Sequence, residues 1–250
     1  MQVSLHEIAG FMDAMVMTFA VPDAKSLTPL TRGAAVEFTL VVEKDASHAE
    51  NVHLRPYSNA DREPSKVRRL QTFDEALRGP VLALNPGQPV PDFTLTDQQR
   101  RSVRFRDFAG KVIALNFVYT RCVLSEYCIR SSNNFGVLQK EFRDRLGKDL
   151  VLLTITFDPV HDQPEVLQDY AKTWKADPEN WRFLTGTDAE VQRVCDVFGV
   201  SFVPEEGLLV HSLHTVIVDR SGKLIANLEG NDFTARQLAD LVQSALESPK

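Results

Sequence analysis

Two nearly uninterrupted apolar runs place the strongest constraint on the fold of this 250-residue chain. Residues 112–119 and 150–157 each have the length of a strand, and neither shows the alternation of polar and apolar residues that marks a half-exposed strand. Strands that are buried on both faces have this pattern, and they occur where helices cover both faces of a parallel sheet. The two runs therefore predict the centre of an α/β domain.

Segments with helical spacing of apolar residues alternate with these strands. The spacing predicts helices over residues 131–146, 164–174, 189–198 and 234–246. Two further strands, over 215–218 and 224–228, flank a four-residue turn. This order of elements predicts a thioredoxin-like central sheet with flanking helices.

The first 55 residues have a different pattern. Short apolar or alternating segments predict strands over 19–21, 35–43 and 49–54. These strands favour a small antiparallel β-barrel of the OB-like kind over residues 1–55. Four prolines among many charges then predict a linker over 56–88, so that the α/β domain covers 89–250.

The charge balance argues against a nucleic-acid partner. The chain has 34 acidic and 28 basic residues, whereas proteins that bind nucleic acid present a basic surface. No apolar run reaches the ~20 residues that a membrane span needs, so we predict no span in this chain. The first residues also lack the basic start and apolar core of an export signal.

Two cysteines follow the first apolar run. Cys122 and Cys128 lie where an open α/β sheet gathers its reactive groups, at the carboxyl end of a strand. A helix follows, and its N-terminus is expected to lower the pKa of nearby thiols. The pair can close a redox disulfide or bind one soft metal ion, although buried cysteines can also simply fill a core. We expect that last role for Cys195, on the apolar side of a predicted helix.

Five segments together resemble the SCO/SenC family, namely residues 111–128, 158–162, 184–186, 198–200 and 211–219. Members of this family are thioredoxin-fold copper proteins that help to deliver copper to the CuA site of cytochrome c oxidase. The resemblance covers about residues 89–248. It implies that Cys122, Cys128 and His211 bind one copper ion and that Asp158 orients the site.

The cysteine loop departs from the usual pattern of this family. Five residues separate the two cysteines, whereas most members have three. A subgroup with a similar longer loop has prolines after both cysteines, and Val123 and Ile129 replace them here. We expect the longer loop and the two missing prolines to affect the affinity of the site for its metal ion.

The remaining histidines have different expected roles. A neutral imidazole beside two thiolates suits copper, which agrees with the position of His211 before an apolar strand. His214 is predicted either to support the ligands or to be a plain surface residue. We expect His161, His48 and His53 at the surface. Thioredoxin-type reductants carry a proline before the strand that faces their cysteines, and its absence here favours metal binding over disulfide exchange.

A second soft-metal site is predicted near the start of the chain. In an extended segment Met15 and Met17 share one face, and thioethers select Cu(I) over hard cations. The segment resembles the CusF-like copper-binding barrel, which implies His6, Met15 and Met17 as ligands, with Phe11 or Met12 beside the ion. The alternative is that methionines fill the barrel core. Since that barrel begins with a strand before the histidine, we expect part of it, and an export signal, upstream of this sequence.

Two unrelated stretches that each favour copper predict a copper-binding chaperone rather than a turnover enzyme. The expected partners are the cytochrome c oxidase subunit that carries CuA and a thiol reductant for the cysteines. The expected location is the periplasm, either free or anchored to the membrane. One alternative is a thiol–disulfide oxidoreductase or peroxidase-like enzyme that uses Cys122 and Cys128. Another is a copper-resistance protein with no oxidase client.

Overall fold

The computed structural model of this chain divides into two units, Met1–Arg55 and Pro56–Lys250. It describes residues 1–5, 15–28, 30, 36–42, 47–54, 83–122, 125–205, 208–230 and 233–248. The strands of the first unit are β1 (Gln2–Leu5), β2 (Met15–Thr18), β3 (Val36–Val42) and β4 (Ser47–Leu54). β1 pairs with β2 and β3 pairs with β4, both in antiparallel register.

A small apolar cluster lies beside these strands. Phe19, Ala49 and Val52 are buried, and the Phe19 ring lies 5.3 Å from that of Phe38. The strand predicted over 19–21 is not present, because β2 ends at Thr18. In that segment only Ala20 pairs with another strand, through an isolated bridge to His48 of β4. Within the part of this unit that the structure describes, the strands form two pairs rather than a closed barrel. The OB-like barrel therefore stays a prediction.

The second unit contains nine strands and four α-helices among its described residues. The strands are β5 (Thr94–Asp97), β6 (Ser102–Arg104), β7 (Val112–Val118), β8 (Leu150–Thr156), β9 (Trp181–Thr185), β10 (Phe202–Glu205), β11 (Leu208–His211), β12 (His214–Val218) and β13 (Leu224–Glu229). The helices are α1 (Arg130–Glu141), α2 (Pro164–Thr173), α3 (Asp188–Phe198) and α4 (Ala235–Glu247). Seven strands form one mixed sheet in the order β13-β12-β7-β8-β9-β5-β6, and β10 pairs with β11 separately.

The two apolar runs form the centre of this sheet. β7 and β8 are parallel neighbours, and every residue of both strands is buried. Alternate side chains of each strand enter opposite apolar clusters. Helices α1, α2 and α4 contribute to one cluster and α3 to the other, so helices cover both faces of the sheet. The predicted α/β class is confirmed, and the arrangement agrees with a thioredoxin-like fold.

The helix predicted over 131–146 extends five residues beyond the end of the observed helix. α1 ends at Glu141, and the chain continues in turns, because Phe142 leaves the helical conformation at φ −101° and ψ 26°. Phe142 is nevertheless buried, and Leu146 packs against the same cluster. The apolar spacing continued past the helix because turn residues also contribute to the core.

Two further predictions are only partly covered by the described residues. Residues 55–82 lie outside them, so the linker over 56–88 and the boundaries drawn from it remain predictions. No helix in the described part of the chain is long and apolar enough to cross a membrane.

Candidate metal centre

Cys122, Cys128 and His211 meet at the carboxyl end of β7. Their ligand atoms, two Sγ and one imidazole nitrogen, all lie within 4.8 Å of one another. Cys122 follows a turn closed by a 3.2 Å hydrogen bond from its N–H to the Tyr119 carbonyl, and His211 is the last residue of β11. The predicted approach of a distant histidine to the cysteine pair is confirmed.

Cys128 lies in a wide turn that leads into α1. The turn spans Ser125–Ile129, and Tyr127 interrupts it with a non-helical backbone at φ −114° and ψ −109°. Cys128 is 1% exposed and Cys122 is 8% exposed. Ile129, one of the residues that replace prolines, is exposed, and Val123 lies outside the described residues.

The hydrogen bonds of His211 fix which ring nitrogen faces the thiols. Its Nδ1 lies 2.9 Å from the Ser212 carbonyl oxygen, which can only accept, so Nδ1 carries the proton and donates. In the neutral ring Nε2 then keeps its lone pair, and it lies 3.8 Å from the Cys128 Sγ. The imidazole therefore presents an unprotonated nitrogen on the side of the sulfur atoms, as a metal ligand must.

Three aromatic rings surround the imidazole. The ring centroids of Phe157, Tyr119 and Tyr127 lie 4.6, 5.6 and 6.5 Å from that of His211. Burial, together with the nearby Cys122, raises the pKa of Tyr119 to about 12, so its phenol stays protonated. An apolar enclosure of this kind restricts solvent at a metal site.

The structure corrects the expected acidity of the Cys128 thiol. The pKa of Cys128 is raised, because its thiol hydrogen-bonds to the Cys122 side chain and is buried. The expected lowering by the N-terminus of the next helix is wrong for Cys128, since the wide turn places this residue in the core rather than at an open helix end. A metal ion must therefore displace a proton from Cys128.

Asp158 contacts the residue that precedes Cys122. Its carboxylate accepts hydrogen bonds of 3.1 and 2.7 Å from the Arg121 guanidinium, and His161 Nδ1 lies 2.8 Å from its second oxygen. Asp158 is buried, while His161 is exposed as expected. The carboxylate thus acts on Arg121, and its predicted effect on the ligands would pass through that residue.

Sequence reasoning missed Asp162. This residue has no exposed surface, and its carboxylate accepts from the Thr120 N–H, the Thr120 hydroxyl and the Thr156 hydroxyl. Burial raises its pKa, although the three hydrogen bonds oppose that rise. The one available signal was that Asp162 belongs to segment 158–162, which resembles the SCO/SenC family. The neighbouring residues in the sequence do not distinguish it from an aspartate in a solvent-exposed loop.

His214 is a buried residue rather than a surface residue. Its Nδ1 lies 2.9 Å from the Asn227 side-chain oxygen, and the Asn227 amide donates to the Phe198 carbonyl. Burial lowers the pKa of His214 to about 4, so the ring is neutral near pH 7. The surface alternative is therefore wrong.

Cys195, His48 and His53 lie outside the cluster of Cys122, Cys128 and His211. Cys195 is fully buried in the core, as expected. His53 is exposed, and His48 is half-buried with its Nε2 3.1 Å from a Glu50 carboxylate oxygen.

The predicted N-terminal site falls largely outside the described residues. His6, Phe11 and Met12 lie outside them. Met15 and Met17 belong to β2, where they pair with Leu5 and Val3 of β1, but their side chains are not among the described parts. The methionine site stays a prediction.

In a comparison with known protein families, the model of the SCO1/SenC family matches residues 84–247, which is about two thirds of the chain. The "SCO1 protein homolog" of Bacillus subtilis (strain 168) is 26% identical over 149 residues, which is 58% of this chain and 76% of that protein. No part of the first 83 residues falls within the family match.

Solved structures are similar over the same region. The structure of yeast Sco1 with copper bound is 25% identical, with a TM-score of 0.55, and the match covers 65% of this chain and 91% of that one. BsSco, described as a member of the Sco family of cytochrome c oxidase assembly proteins with a disulfide switch, is 23% identical. Its TM-score is 0.56, and the match covers 67% of this chain and 99% of BsSco.

Proposed function

Since this chain belongs to the SCO1/SenC family, we propose that it binds copper through Cys122, Cys128 and His211 and carries the ion to a partner protein. The observation that supports this most is that the three ligand atoms lie within 4.8 Å of one another, although His211 is 83 residues from Cys128. Yeast Sco1, a relative by structure, has been solved with copper bound.

The donor set suits a cuprous ion. Two sulfur atoms and one imidazole nitrogen are soft or borderline ligands, which Cu(I) prefers, whereas structural zinc sites are almost always closed by four ligands. Among the described residues, no other group of three His, Cys, Asp or Glu side chains comes together in this way. Copper is therefore the metal that the three residues fit.

The surrounding residues prepare the ligands. The Ser212 carbonyl keeps the His211 proton on Nδ1, which leaves Nε2 free for the ion. The thiols release their protons when the ion binds. In this proposal Asp158 orients the cysteine loop by holding Arg121, and His214 supports β12 directly after the ligand strand through its hydrogen bond to Asn227.

The proposed client is the cytochrome c oxidase subunit that carries CuA. BsSco is described as an oxidase assembly protein, and this chain shares its fold. Copper would pass by exchange of ligands, after a thiol reductant has reduced Cys122 and Cys128. Both cysteines are in the reduced state in this structure. The proposed location is the periplasm, free or membrane-anchored, where the client domain would be accessible.

A second proposed site lies in the first unit. His6, Met15 and Met17 would hold Cu(I) as in CusF-like barrels, with Phe11 or Met12 beside the ion. The support for this site is the residue pattern together with the extended backbone of β2, which contains both methionines. Such a site would make the chain a carrier of two ions.

One observation favours a second candidate function. The Cys122 and Cys128 side chains hydrogen-bond to each other, so the thiols are close enough to form a disulfide, and BsSco is described as having a disulfide switch. A thiol–disulfide oxidoreductase or peroxidase-like enzyme would use the same pair. It would not need His211 as a metal ligand, and this difference separates the two functions.

Anaerobic titration of the reduced protein with Cu(I) tests the proposal. We expect two ions per chain, of which Cys122→Ser removes one and the double change Met15→Leu/Met17→Leu removes the other. Cys195→Ser is the matched control, because Cys195 is a buried thiol outside the cluster. If Cys122→Ser binds as much copper as the unchanged chain, the larger unit is not a copper carrier of the proposed kind.

A further inference from the structure

A buried aspartate joins the carboxyl ends of the two central strands beside Cys122. The Asp162 carboxylate accepts from the Thr120 N–H at 3.0 Å and from the Thr120 hydroxyl at 2.5 Å. It also accepts from the Thr156 hydroxyl at 2.5 Å. Thr156 is the last residue of β8, and Thr120 lies two residues beyond β7. One side chain thus links the segment that carries Cys122 to the neighbouring strand.

The backbone around Asp162 is fixed as well. Its N–H donates to the Asp158 carbonyl at 2.9 Å, and the Asp158 N–H donates to the Thr156 hydroxyl at 3.0 Å. The carboxylate is therefore held in register with β8 rather than carried by an unsupported loop. Burying a carboxylate costs free energy even when it is hydrogen-bonded, so an apolar side chain would fill this corner at a lower cost.

We propose that Asp162 is a positioning residue, which sets the geometry of Cys122 as a ligand by holding Thr120. This inference rests on the proposed role of Cys122 in copper binding. Thr120 is held through both its N–H and its hydroxyl, and the next residue, Arg121, is held by the Asp158 carboxylate. Both residues before Cys122 are thus fixed by the single segment 158–162.

The short connection between Thr120 and Cys122 transmits this constraint. The Cys122 N–H donates to the Tyr119 carbonyl, which closes a tight turn over the intervening residues. Rotation of Thr120 would therefore turn the backbone that carries Sγ, and Sγ must stay within reach of Cys128 and His211. Residues that orient metal ligands in this indirect way typically affect metal affinity about 10- to 100-fold.

The chain offers a matched control. Asp97 is also fully buried, and its carboxylate accepts from the Gln99 N–H, the Arg101 N–H and the Arg101 guanidinium. It ends β5, which is separated from β7 by β9 and β8 in the sheet. A substitution at Asp97 therefore disturbs a similar hydrogen-bonded carboxylate without touching the cysteine segment.

The first test compares Asp162→Asn with Asp97→Asn by competition with a chromophoric Cu(I) chelator, and it records the melting temperature of each. Both variants are expected to unfold at lower temperature. Only Asp162→Asn is expected to weaken Cu(I) binding, by about 10- to 100-fold. Unchanged affinity in Asp162→Asn, or an equal loss in Asp97→Asn, would overturn the proposal.

A double-mutant cycle shows whether Asp162 acts through Thr120. Thr120→Val removes the hydroxyl and keeps the side-chain shape. If the two residues act as one unit, the loss of affinity in Thr120→Val/Asp162→Asn is smaller than the combined losses of the single variants. Independent, additive losses would contradict transmission through the Thr120 hydroxyl.

A metal-free measurement separates this inference from the copper proposal. The reduced protein is equilibrated with glutathione, so that the two thiols are oxidised to a Cys122–Cys128 disulfide while one glutathione disulfide is reduced to two thiols. Misplacement of Cys122 is expected to shift this equilibrium constant about tenfold in Asp162→Asn and not in Asp97→Asn. If the unchanged chain fails to bind Cu(I), the copper function is wrong. The positioning role is overturned separately, if the thiol–disulfide equilibrium constant is the same in the unchanged chain, Asp162→Asn and Asp97→Asn.

Discussion

The Nε2 atom of His211 lies 3.8 Å from the Sγ atom of Cys128, although 83 residues separate them in the chain. The Ser212 carbonyl keeps the imidazole proton on the opposite nitrogen, so a lone pair faces the sulfur. This relationship brings a nitrogen donor to the cysteine pair, and the proposed copper site depends on it. It is also the feature by which a copper carrier differs from a dithiol enzyme.

We predict that His211→Ala weakens Cu(I) binding to the larger unit by about 100-fold or more. The reason is that loss of a direct ligand should cost at least as much as loss of a supporting residue, which is about 10- to 100-fold. Chelator competition measures the affinity, and His53→Ala is the control because that imidazole is exposed and outside the cluster. Equal affinities in the two variants would remove His211 from the site.

The second prediction concerns pH. The pKa of Cys128 is raised, so this thiol is protonated near pH 7 and its proton competes with the metal. The apparent Cu(I) affinity should therefore rise with pH, by about tenfold per pH unit for each proton displaced. Competition titrations between about pH 6 and about pH 8 measure the slope. A flat profile would mean that the thiols are already ionised before copper binds.

The third prediction concerns the stability of the metal-free protein. The folded-state pKa of His214 is lowered to about 4 from 6.5, so the unfolded state binds more protons between these values. Stability from this residue is present above about pH 6.5 and is lost as the pH falls toward 4. The loss is at most about 3 kcal/mol.

Urea unfolding at about pH 7 and about pH 5 measures that loss. His214→Gln is the control, because glutamine keeps a donor for Asn227 and does not titrate in this range. The difference between the two pH values should shrink in this variant. A difference as large as that of the unchanged chain would assign the pH dependence to other groups.

The fourth prediction concerns the end of α3. Gly199 has φ +73°, and a Cβ added there would lie 2.9 Å from the Ala83 Cβ. Gly199→Ala should therefore destabilise the fold by about 1–2 kcal/mol or more, from backbone strain and the close contact. The measurement is the free energy of unfolding, with Gly222→Ala as a control that has positive φ and no atom within 4 Å of the added Cβ. Equal losses would mean that the contact with Ala83 has no effect.

The sequence was sufficient for the centre of the fold. β7 and β8 could be predicted because burial on both faces removes the polar alternation of a strand, and this signature is local. The helix over 131–146 was extended too far for a related reason, since Phe142 and Leu146 contribute to the core from turns. Apolar spacing records burial, and it does not record where a helix ends.

The site was predictable only in part. The cysteine pair has a local signature at a strand end, whereas the role of His211 came from a family resemblance, because no local pattern joins residues 83 positions apart. The raised pKa of Cys128 and the buried carboxylate of Asp162 depend on packing between distant segments. Such properties of the environment are not encoded in residue spacing, so the sequence predicted neither.

The most direct test of the copper account is X-ray absorption at the copper edge on the Met15→Leu/Met17→Leu variant loaded with one equivalent of Cu(I). These substitutions leave the cluster of Cys122, Cys128 and His211 as the occupied site. The account predicts two sulfur ligands and one imidazole nitrogen, with the imidazole signal lost in a further His211→Ala change. A spectrum with sulfur ligands alone, unchanged by His211→Ala, would contradict it.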